Sequence, residues 1–206
     1  PIWLIAVDEN GNIVDGDHIM VLSAIHLKNK GKLAQDTLVV TVMSNIGLTI
    51  AAKEHGINLA TPAVGDRYVL EEMKNSGYNL GGEQSGHMIF LDYNTTGDGV
   101  LSSLVLAQIV LEEGKNLSEL AAVMTQYPQV LVNARIKNEN KNRYMEYPEI
   151  KSEIERIEKL LDGCGRVLIR PSGTEPLVRV MLEGKEEGQI KELATNLANL
   201  IQEKLS

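Results

Sequence analysis

Apolar and polar positions follow a regular pattern in the first part of the chain. Short apolar runs that are typical of buried strands, at 38–43 and 58–60, alternate with longer segments whose apolar residues recur at helical spacing. The recurring apolar positions of the longest segment are Leu101, Leu104, Val105, Ile109 and Val110. Strands that alternate with helices predict a largely parallel sheet that is covered on both faces.

Turn and capping residues predict the remaining elements of this part. Strands are expected at 2–7, 13–14, 80–82 and 88–91, the first pair as a hairpin and the last pair antiparallel. Helices are expected at 18–28, 46–55, 68–75, 97–113 and 117–124. Asp17 is the predicted N-cap of the first helix, because an aspartate side chain can accept a hydrogen bond from the first turn. Ser44 and Asn45 are the predicted caps of the helix at 46–55.

Polar residues fall at the predicted carboxyl ends of the strands. Ser44 and Asn45, the loop at 65–67 and Glu83 each follow a strand. Sheets of this kind bind ligands beyond the carboxyl ends of their strands. We therefore expect these residues to lie along one rim of the sheet.

The alternation of predicted strands and helices ends at Tyr127–Pro128, a dipeptide typical of a linker. Beyond it the pattern predicts a strand at 130–136, an amphipathic helix at 149–161, a hairpin and a final helix at 186–205. The order β-α-β-β-α favours a small sheet with both helices on one face. The fold class is therefore α/β, a mixed and mainly parallel α/β domain followed by a small α+β domain.

Charge and cysteine content exclude several classes of function. The 206 residues carry a net charge of -8, which argues against general nucleic-acid binding, because that needs a basic face. An anionic ligand would need a local basic cluster, and Arg166, Arg170 and Arg179 are the candidates. Cys164 is the single cysteine, so no intrachain disulfide can form and a reducing compartment, the cytoplasm, is expected. No apolar run has the length of a membrane span and no signal peptide is visible, so no membrane partner is expected.

The hairpin of the second part carries a motif suited to an anion, Arg-Pro-Ser-Gly-Thr-Glu-Pro, at 170–176. Serine, glycine and threonine in a tight loop can turn amides and hydroxyls toward one point, and such a concavity favours an anion. Arginine adds a planar fork that matches phosphate oxygens. The alternative is an ordinary hairpin loop, since proline, serine and glycine are common turn residues.

A second motif follows the strand at 80–82. It reads Gly-Gly-Glu-Gln-Ser-Gly-His at 81–87 and continues through 90–99. The Glu83 carboxylate can accept two hydrogen bonds from vicinal hydroxyls, and the Ser85 hydroxyl can donate or accept a third. The alternative is a solvated glutamate in a turn.

The two motifs together resemble those of the phosphohexomutases, and the string through 99 is most similar to the branch that acts on glucosamine phosphates. The resemblance implies a sugar-binding domain at 18–125 and a phosphate-binding domain at 126–206. Residues 1–17 would be a remnant of the preceding domain, which carries the metal loop. The first three residues depart from the sequence expected after that loop.

The resemblance also implies the roles of individual residues. Arg170, Ser172, Gly173, Thr174 and Arg179 would surround the phosphate that is not transferred. Glu83 and Ser85 would contact sugar hydroxyls, and Arg67 lies where the family has a loop that faces sugar or phosphate. His87 is either a general acid or base or a packed residue at the end of the loop.

The implied reaction moves a phosphoryl group between positions 1 and 6 of a phosphorylated hexosamine, through a phosphoserine and Mg²⁺. The serine and metal loops of the family have no counterpart in these residues. We therefore expect a fragment of a longer enzyme that is inactive alone, with Mg²⁺ ligands outside it. The oligomeric state stays open, with a homodimer among the states allowed.

Three alternatives remain open at this point. A phosphomannomutase/phosphoglucomutase is the rival enzyme, and a non-catalytic module that binds sugar phosphates is the rival class. The string Asp-Gly-Asp-His at 15–18 suggests a metal site, but a glycine turn with Asp17 as a helix cap is favoured. No His, Cys and Asp set in the sequence has the spacing of metal ligands.

Overall fold

The computed structural model describes residues 2–161 and 163–206 and divides into two compact units. The first unit ends at Gln126, and the second runs from Tyr127 to Ser206. The break coincides with the Tyr127–Pro128 dipeptide. Residues before position 18 belong to the first unit, and their origin in a preceding domain stays a prediction. The expectation for Pro1, the first of the three residues that depart from the family sequence, lies outside the described residues, as does Asp162.

The first unit is an α/β unit. Its strands are β1 Ala6–Val7, β2 Ile13–Val14, β3 Thr37–Val39, β4 Asn58–Ala60, β5 Leu80–Gly82 and β6 Met88–Phe90. Its helices are α1 Gly16–Asn29, α2 Ile46–Glu54, α3 Asp66–Ser76, α4 Gly99–Glu113 and α5 Leu117–Ala121. The main sheet has the order β4-β3-β5-β6, and β1 and β2 form a separate antiparallel pair.

Strand directions confirm the predicted mixed and mainly parallel sheet. β3 is parallel to both β4 and β5, whereas β6 runs antiparallel to β5. The largest core cluster of the unit joins α1, α2 and α4 to the sheet, and a smaller cluster around Val69 and Met73 places α3 against β3 and β6. The parallel strands therefore present their carboxyl ends on one side, where the loops of the site begin.

The predicted cap of α1 is wrong. Asp15, not Asp17, is the N-cap, and its side chain accepts a hydrogen bond from the His18 amide at 3.2 Å. The helix begins at Gly16, so the Asp17 side chain lies within the first turn and points inward. There its Oδ2 accepts a hydrogen bond of 2.7 Å from the Asn45 amide.

Two strands are shorter than their apolar runs predicted. The strand expected at 2–7 is reduced to β1, and Trp3 forms an isolated bridge with His87. The run at 38–43 leaves the sheet after β3, because a turn closes where the Ser44 amide donates to Thr41 O at 3.1 Å. As predicted, the Asn45 side chain caps α2 by accepting a hydrogen bond from Gly47 N at 3.0 Å.

The second unit has the predicted β-α-β-β-α order. It comprises β7 Gln129–Arg135, α6 Pro148–Leu160, β8 Arg166–Pro171, β9 Leu177–Glu183 and α7 Glu187–Leu205. The three strands form an antiparallel sheet in the order β7-β9-β8. One core cluster contains the inward residues of both helices and alternate residues of all three strands, so both helices cover the same face of the sheet. The motif at 170–176 is the connection between β8 and β9.

No helix within the described residues has the length and apolarity needed to cross a bilayer.

Candidate functional site

The loop between β5 and β6, residues 83–86, is called the sugar loop here. It closes as a tight turn, because the Glu83 amide donates to His87 O at 2.9 Å and the Gly86 amide donates to Glu83 O at 3.0 Å. Gly86 has a φ of +94°, a conformation that L side chains rarely adopt. The turn therefore needs glycine at its end, and it places Glu83 directly after the carboxyl end of β5.

The Glu83 carboxylate is partly oriented. Its Oε1 accepts a hydrogen bond of 3.1 Å from the Gly65 amide in the loop after β4, so two of the loops predicted along one rim are in direct contact. Within the described residues, Oε2 has no hydrogen-bond partner. Ser85 is exposed, and its hydroxyl also has no partner in this part of the chain. The loop thus offers a fixed acceptor and a free hydroxyl.

His87 is packed rather than exposed. Only 4% of the residue is accessible, and Gly97 lies so close to the ring that a Cβ there would be 2.8 Å from Nδ1 and nearer still to Nε2 and Cε1. Nε2 lies 4.0 Å from the Asp66 carboxylate. Of the two roles considered from the sequence, this environment favours the packed residue.

Arg67 lies in the first turn of α3, directly after the loop that contacts Glu83. Its side chain is 79% exposed, and its Nε donates to Glu71 Oε1 at 2.8 Å along the helix. The structure therefore does not bring this guanidinium to Glu83. A role in binding would require the exposed ion pair with Glu71 to exchange for a ligand, and such pairs are weak.

The second unit places two candidate arginines side by side. Arg170 on β8 is the direct antiparallel partner of Arg179 on β9, so both side chains leave the same face of the sheet. Like charges directly opposite each other destabilise a sheet unless an anion neutralises them. Arg179 Nη2 is 3.3 Å from Glu175 Oε2, whereas the Arg170 guanidinium has no partner within the described residues. Arg170 is thus available for an anion.

The connection at 172–176, called the anchor loop here, divides the predicted ligands into two groups. Ser172 is 3% exposed; its amide donates to Leu177 O, and its Oγ accepts a hydrogen bond of 3.2 Å from the Glu175 amide. Gly173 and Thr174 are exposed, and their amides have no acceptor among the described residues. Ser172 therefore shapes the turn, and two adjacent amides and the Thr174 hydroxyl remain as free donors.

Lys141 was not identified from the sequence. Its Nζ donates to Ser172 O at 2.7 Å, so it brings a third cation to the anchor loop. The sequence signal was limited to a lysine in a polar loop.

Arg166, by contrast, does not belong to the predicted basic cluster. It lies at the far end of β8, where its Nε donates to the fully buried Glu183 carboxylate at 2.5 Å. The Arg166 side chain therefore pairs with a buried carboxylate and does not lie beside Arg170 and Arg179.

No metal centre can be assigned to the part of the chain that the structure describes. Among the described residues, no group of three or more His, Cys, Asp or Glu side chains is close enough to hold an ion. His18, in the string that suggested a metal, has Nδ1 2.7 Å from Asp15 Oδ1 at the start of α1. The described residues therefore do not fit a magnesium site.

Family models match both units. Residues 15–127 match the phosphoglucomutase/phosphomannomutase alpha/beta/alpha domain III, and residues 131–200 match the C-terminal domain of the same family. The chain belongs to the phosphohexomutase family. Its sugar loop and anchor loop lie in these third and fourth domains.

Several similar curated proteins are named phosphoglucosamine mutase. The chain is 84% identical over 203 residues to phosphoglucosamine mutase of Clostridioides difficile (strain 630), which covers 98% of this chain and 45% of that protein. It is 63% identical over 203 residues to the phosphoglucosamine mutase of Caldanaerobacter subterraneus subsp. tengcongensis, again over 45% of that protein. The chain thus spans less than half the length of these relatives.

Solved structures share the fold at low identity. The Aspergillus fumigatus N-acetylphosphoglucosamine mutase in complex with GlcNAc-6P and magnesium superposes with a TM-score of 0.74 and 20% identity, over 96% of this chain and 49% of that one. A Burkholderia thailandensis phosphoglucomutase/phosphomannomutase family protein superposes with a TM-score of 0.73 and 18% identity, over 100% of this chain and 46% of the other. Both likenesses support the mixed α/β fold.

Proposed function

We propose that the chain is the C-terminal part of a phosphoglucosamine mutase, which interconverts glucosamine 6-phosphate and glucosamine 1-phosphate. Relatives of that name, one of them 84% identical, support this proposal. The single observation that carries it is the set of available donors at the anchor loop and the adjacent Arg170. Within the described residues, the Arg170 guanidinium has no partner and the amides of Gly173 and Thr174 have no acceptor. These groups supply charge and directed donors in a protein with a net charge of -8.

Each unit supplies one part of the binding task. In the second unit, Arg170, Arg179, Gly173 and Thr174 hold the phosphate that does not react, and Ser172 keeps the turn in shape. In the first unit, Glu83 accepts hydrogen bonds from sugar hydroxyls, and the Ser85 hydroxyl adds another. Both oxygens of a carboxylate accept hydrogen bonds, so Glu83 suits a sugar bound in either direction.

Phosphoryl transfer itself is assigned to residues outside this chain. A phosphoserine donor and Mg²⁺ are implied by the family, and the GlcNAc-6P complex of the Aspergillus relative contains magnesium. The chain contributes positioning and charge, which are the main sources of catalysis in phosphoryl transfer. We place the whole enzyme in the cytoplasm, in keeping with the unpaired Cys164 thiol, with a homodimer as one candidate assembly.

Arg170→Ala and Arg179→Ala in the full-length enzyme are each expected to weaken binding of glucosamine 6-phosphate about tenfold to hundredfold. Each change removes a charge-assisted hydrogen bond, worth about 1.5–3 kcal/mol. Arg170→Lys should recover only part of the affinity, because an ammonium cannot present the planar fork. Calorimetric titration measures the affinities, and melting curves report the fold.

Arg156→Ala is the matched control, because it removes the same charge from an exposed ion pair with Glu153 on α6. It should leave binding unchanged. Parallel titration with glucose 6-phosphate tests the rival plain-sugar enzyme, since equal or tighter binding of that ligand would favour it. Unchanged affinity in both the Arg170 and the Arg179 variants would show that the anchor loop is an ordinary hairpin connection.

The chain of 206 residues alone is expected to show no mutase turnover. It lacks the family's serine loop, and its described residues contain no metal cluster. The assay is conversion of glucosamine 6-phosphate by the purified chain with Mg²⁺ and a hexosamine bisphosphate activator. Turnover proportional to the concentration of the chain would contradict the assignment of the chemistry to other residues.

A further inference from the structure

Gly16, the first residue of α1, approaches the sugar loop more closely than any side chain would allow. A Cβ on Gly16 would lie 2.7 Å from both Gln84 O and Gly86 N, and closer still to Glu83 O. All three atoms belong to the loop backbone, which cannot rotate aside as a flexible side chain can. The position therefore requires glycine for contact with this loop, and the requirement does not come from its own φ.

Hydrogen bonds also join the start of α1 to the sugar loop. The Gly16 amide donates to Gln84 O at 3.1 Å. The neighbouring Asp15 has its Oδ2 3.4 Å from Gln84 Nε2. Burial raises the pKa of Asp15, but hydrogen bonds from His18 outweigh it and lower the pKa below its usual value, so Asp15 is an ionised acceptor at neutral pH.

The opposite side of the loop is held as well. The Leu4 amide donates to Gly86 O at 2.9 Å, and a Cβ on Gly86 would lie 2.9 Å from the Leu4 carbonyl carbon. Together with the bond from Gly65 to the Glu83 carboxylate, these contacts confine the loop from three directions. A rigid support of this kind is what a binding loop needs if its acceptor is to be oriented before the ligand arrives.

We propose that Gly16 is a positioning residue for the sugar loop, and that the start of α1 acts as the support on which Glu83 is oriented. The proposal rests on the proposed function and deepens it by assigning a task to the string at 15–18, which belongs to no group of three or more possible metal ligands among the described residues. Gly16 touches no ligand and acts only through the loop backbone. Its replacement displaces the loop, α1, or both.

Gly16→Ala in the full-length enzyme is the test. Alanine favours a helix more than glycine does, so the substitution does not weaken the intrinsic helix preference of α1. We expect hydrogen exchange at the Glu83 and Gly86 amides to quicken at least about tenfold, and kcat/KM for glucosamine 6-phosphate to fall about 100-fold, as displacements of about 1 Å do in active sites. Gly188→Ala, where a Cβ meets nothing within 4 Å, is the control and should change neither quantity.

Asp15→Asn is a second variant that tests the proposal if Gly16→Ala fails to fold. Asparagine still caps α1, but it can turn a donor toward Gln84 Nε2. We expect an unchanged melting temperature, faster exchange of the loop amides and a fall in kcat/KM of about fivefold, since one long hydrogen bond is worth about 1 kcal/mol. Unchanged exchange in this variant then overturns the proposal.

The outcomes separate the positioning role from the function. Unchanged exchange in a folded Gly16→Ala variant overturns the positioning role whatever the ligand. Faster exchange with unchanged kcat/KM overturns the link between this loop and the site, and leaves the proposed function standing. A parent enzyme that neither binds nor turns over glucosamine 6-phosphate overturns the proposed function, and the exchange comparison then decides the positioning role by itself.

Discussion

The parent protein is expected to lose stability as pH rises from about 4 to 8, and replacement of Asp17 by asparagine is expected to abolish this loss. Asp17 is 0% exposed, and its Oδ1 has no hydrogen-bond partner among the described residues. Burial raises the pKa of this carboxyl from 3.8 to about 7, although the hydrogen bond from the Asn45 amide acts in the opposite direction.

The direction of the effect follows from proton linkage. The folded chain binds the Asp17 proton more tightly than the unfolded chain, so the free energy of unfolding falls as pH rises from 3.8 to about 7. One pKa unit corresponds to about 1.4 kcal/mol, so the loss is at most about 4 kcal/mol. Asparagine does not ionise in this range. The free energy of unfolding of Asp17→Asn, relative to the parent, should therefore rise by about 4 kcal/mol between about pH 4 and pH 8.

Urea unfolding at several pH values, followed by the fluorescence of the single tryptophan Trp3, measures this difference in the first unit. Asp8→Asn is the matched control. Hydrogen bonds, foremost from the Asn12 side chain, lower the pKa of Asp8. The contribution of Asp8 to the free energy of unfolding is therefore complete above about pH 5 and is lost only at lower pH. A relative stability of Asp17→Asn that stays constant across the range would show that the folded and unfolded chains bind the Asp17 proton equally, so that burial does not raise the pKa of this carboxyl.

Gly97→Ala is expected to destabilise the first unit by about 3 kcal/mol, because the new methyl group would overlap the buried ring of His87. His87→Ala vacates that space and should itself cost about 2–3 kcal/mol through lost packing. In the double variant the methyl group enters the vacated space. The two changes should therefore be strongly non-additive, with the double variant more stable than the sum of the single effects predicts.

Chemical unfolding of the four proteins in this cycle gives the coupling energy. Gly188→Ala serves again as the control for a glycine whose Cβ would meet nothing. Additive effects would place the His87 ring elsewhere than against Gly97. A full-length His87→Ala enzyme that keeps its stability but loses turnover together with one limb of its pH profile would instead assign His87 to acid–base chemistry.

Local sequence features predicted the elements well, for a physical reason. Periodicity, turn residues and caps act between near neighbours, so the Asn45 cap of α2 and the hairpin that carries the anchor loop were recognisable from a few residues each. The cap of α1 was misassigned between Asp15 and Asp17, because two aspartates two residues apart both satisfy the local preference. Only packing against the Asn45 amide distinguishes them.

The sequence by itself determined the order of elements, the two units' fold classes and the two loops with the composition to bind a phosphosugar. The tertiary structure decided which groups in those loops remain free. It assigned Arg166 to Glu183, left Arg170 unpaired within the described residues and brought Lys141 to Ser172 across 31 positions. It also set Gly16 against the sugar loop and Gly97 against His87. Such contacts join positions far apart in the chain, and no local preference encodes them, because they depend on how the sheet and helices pack.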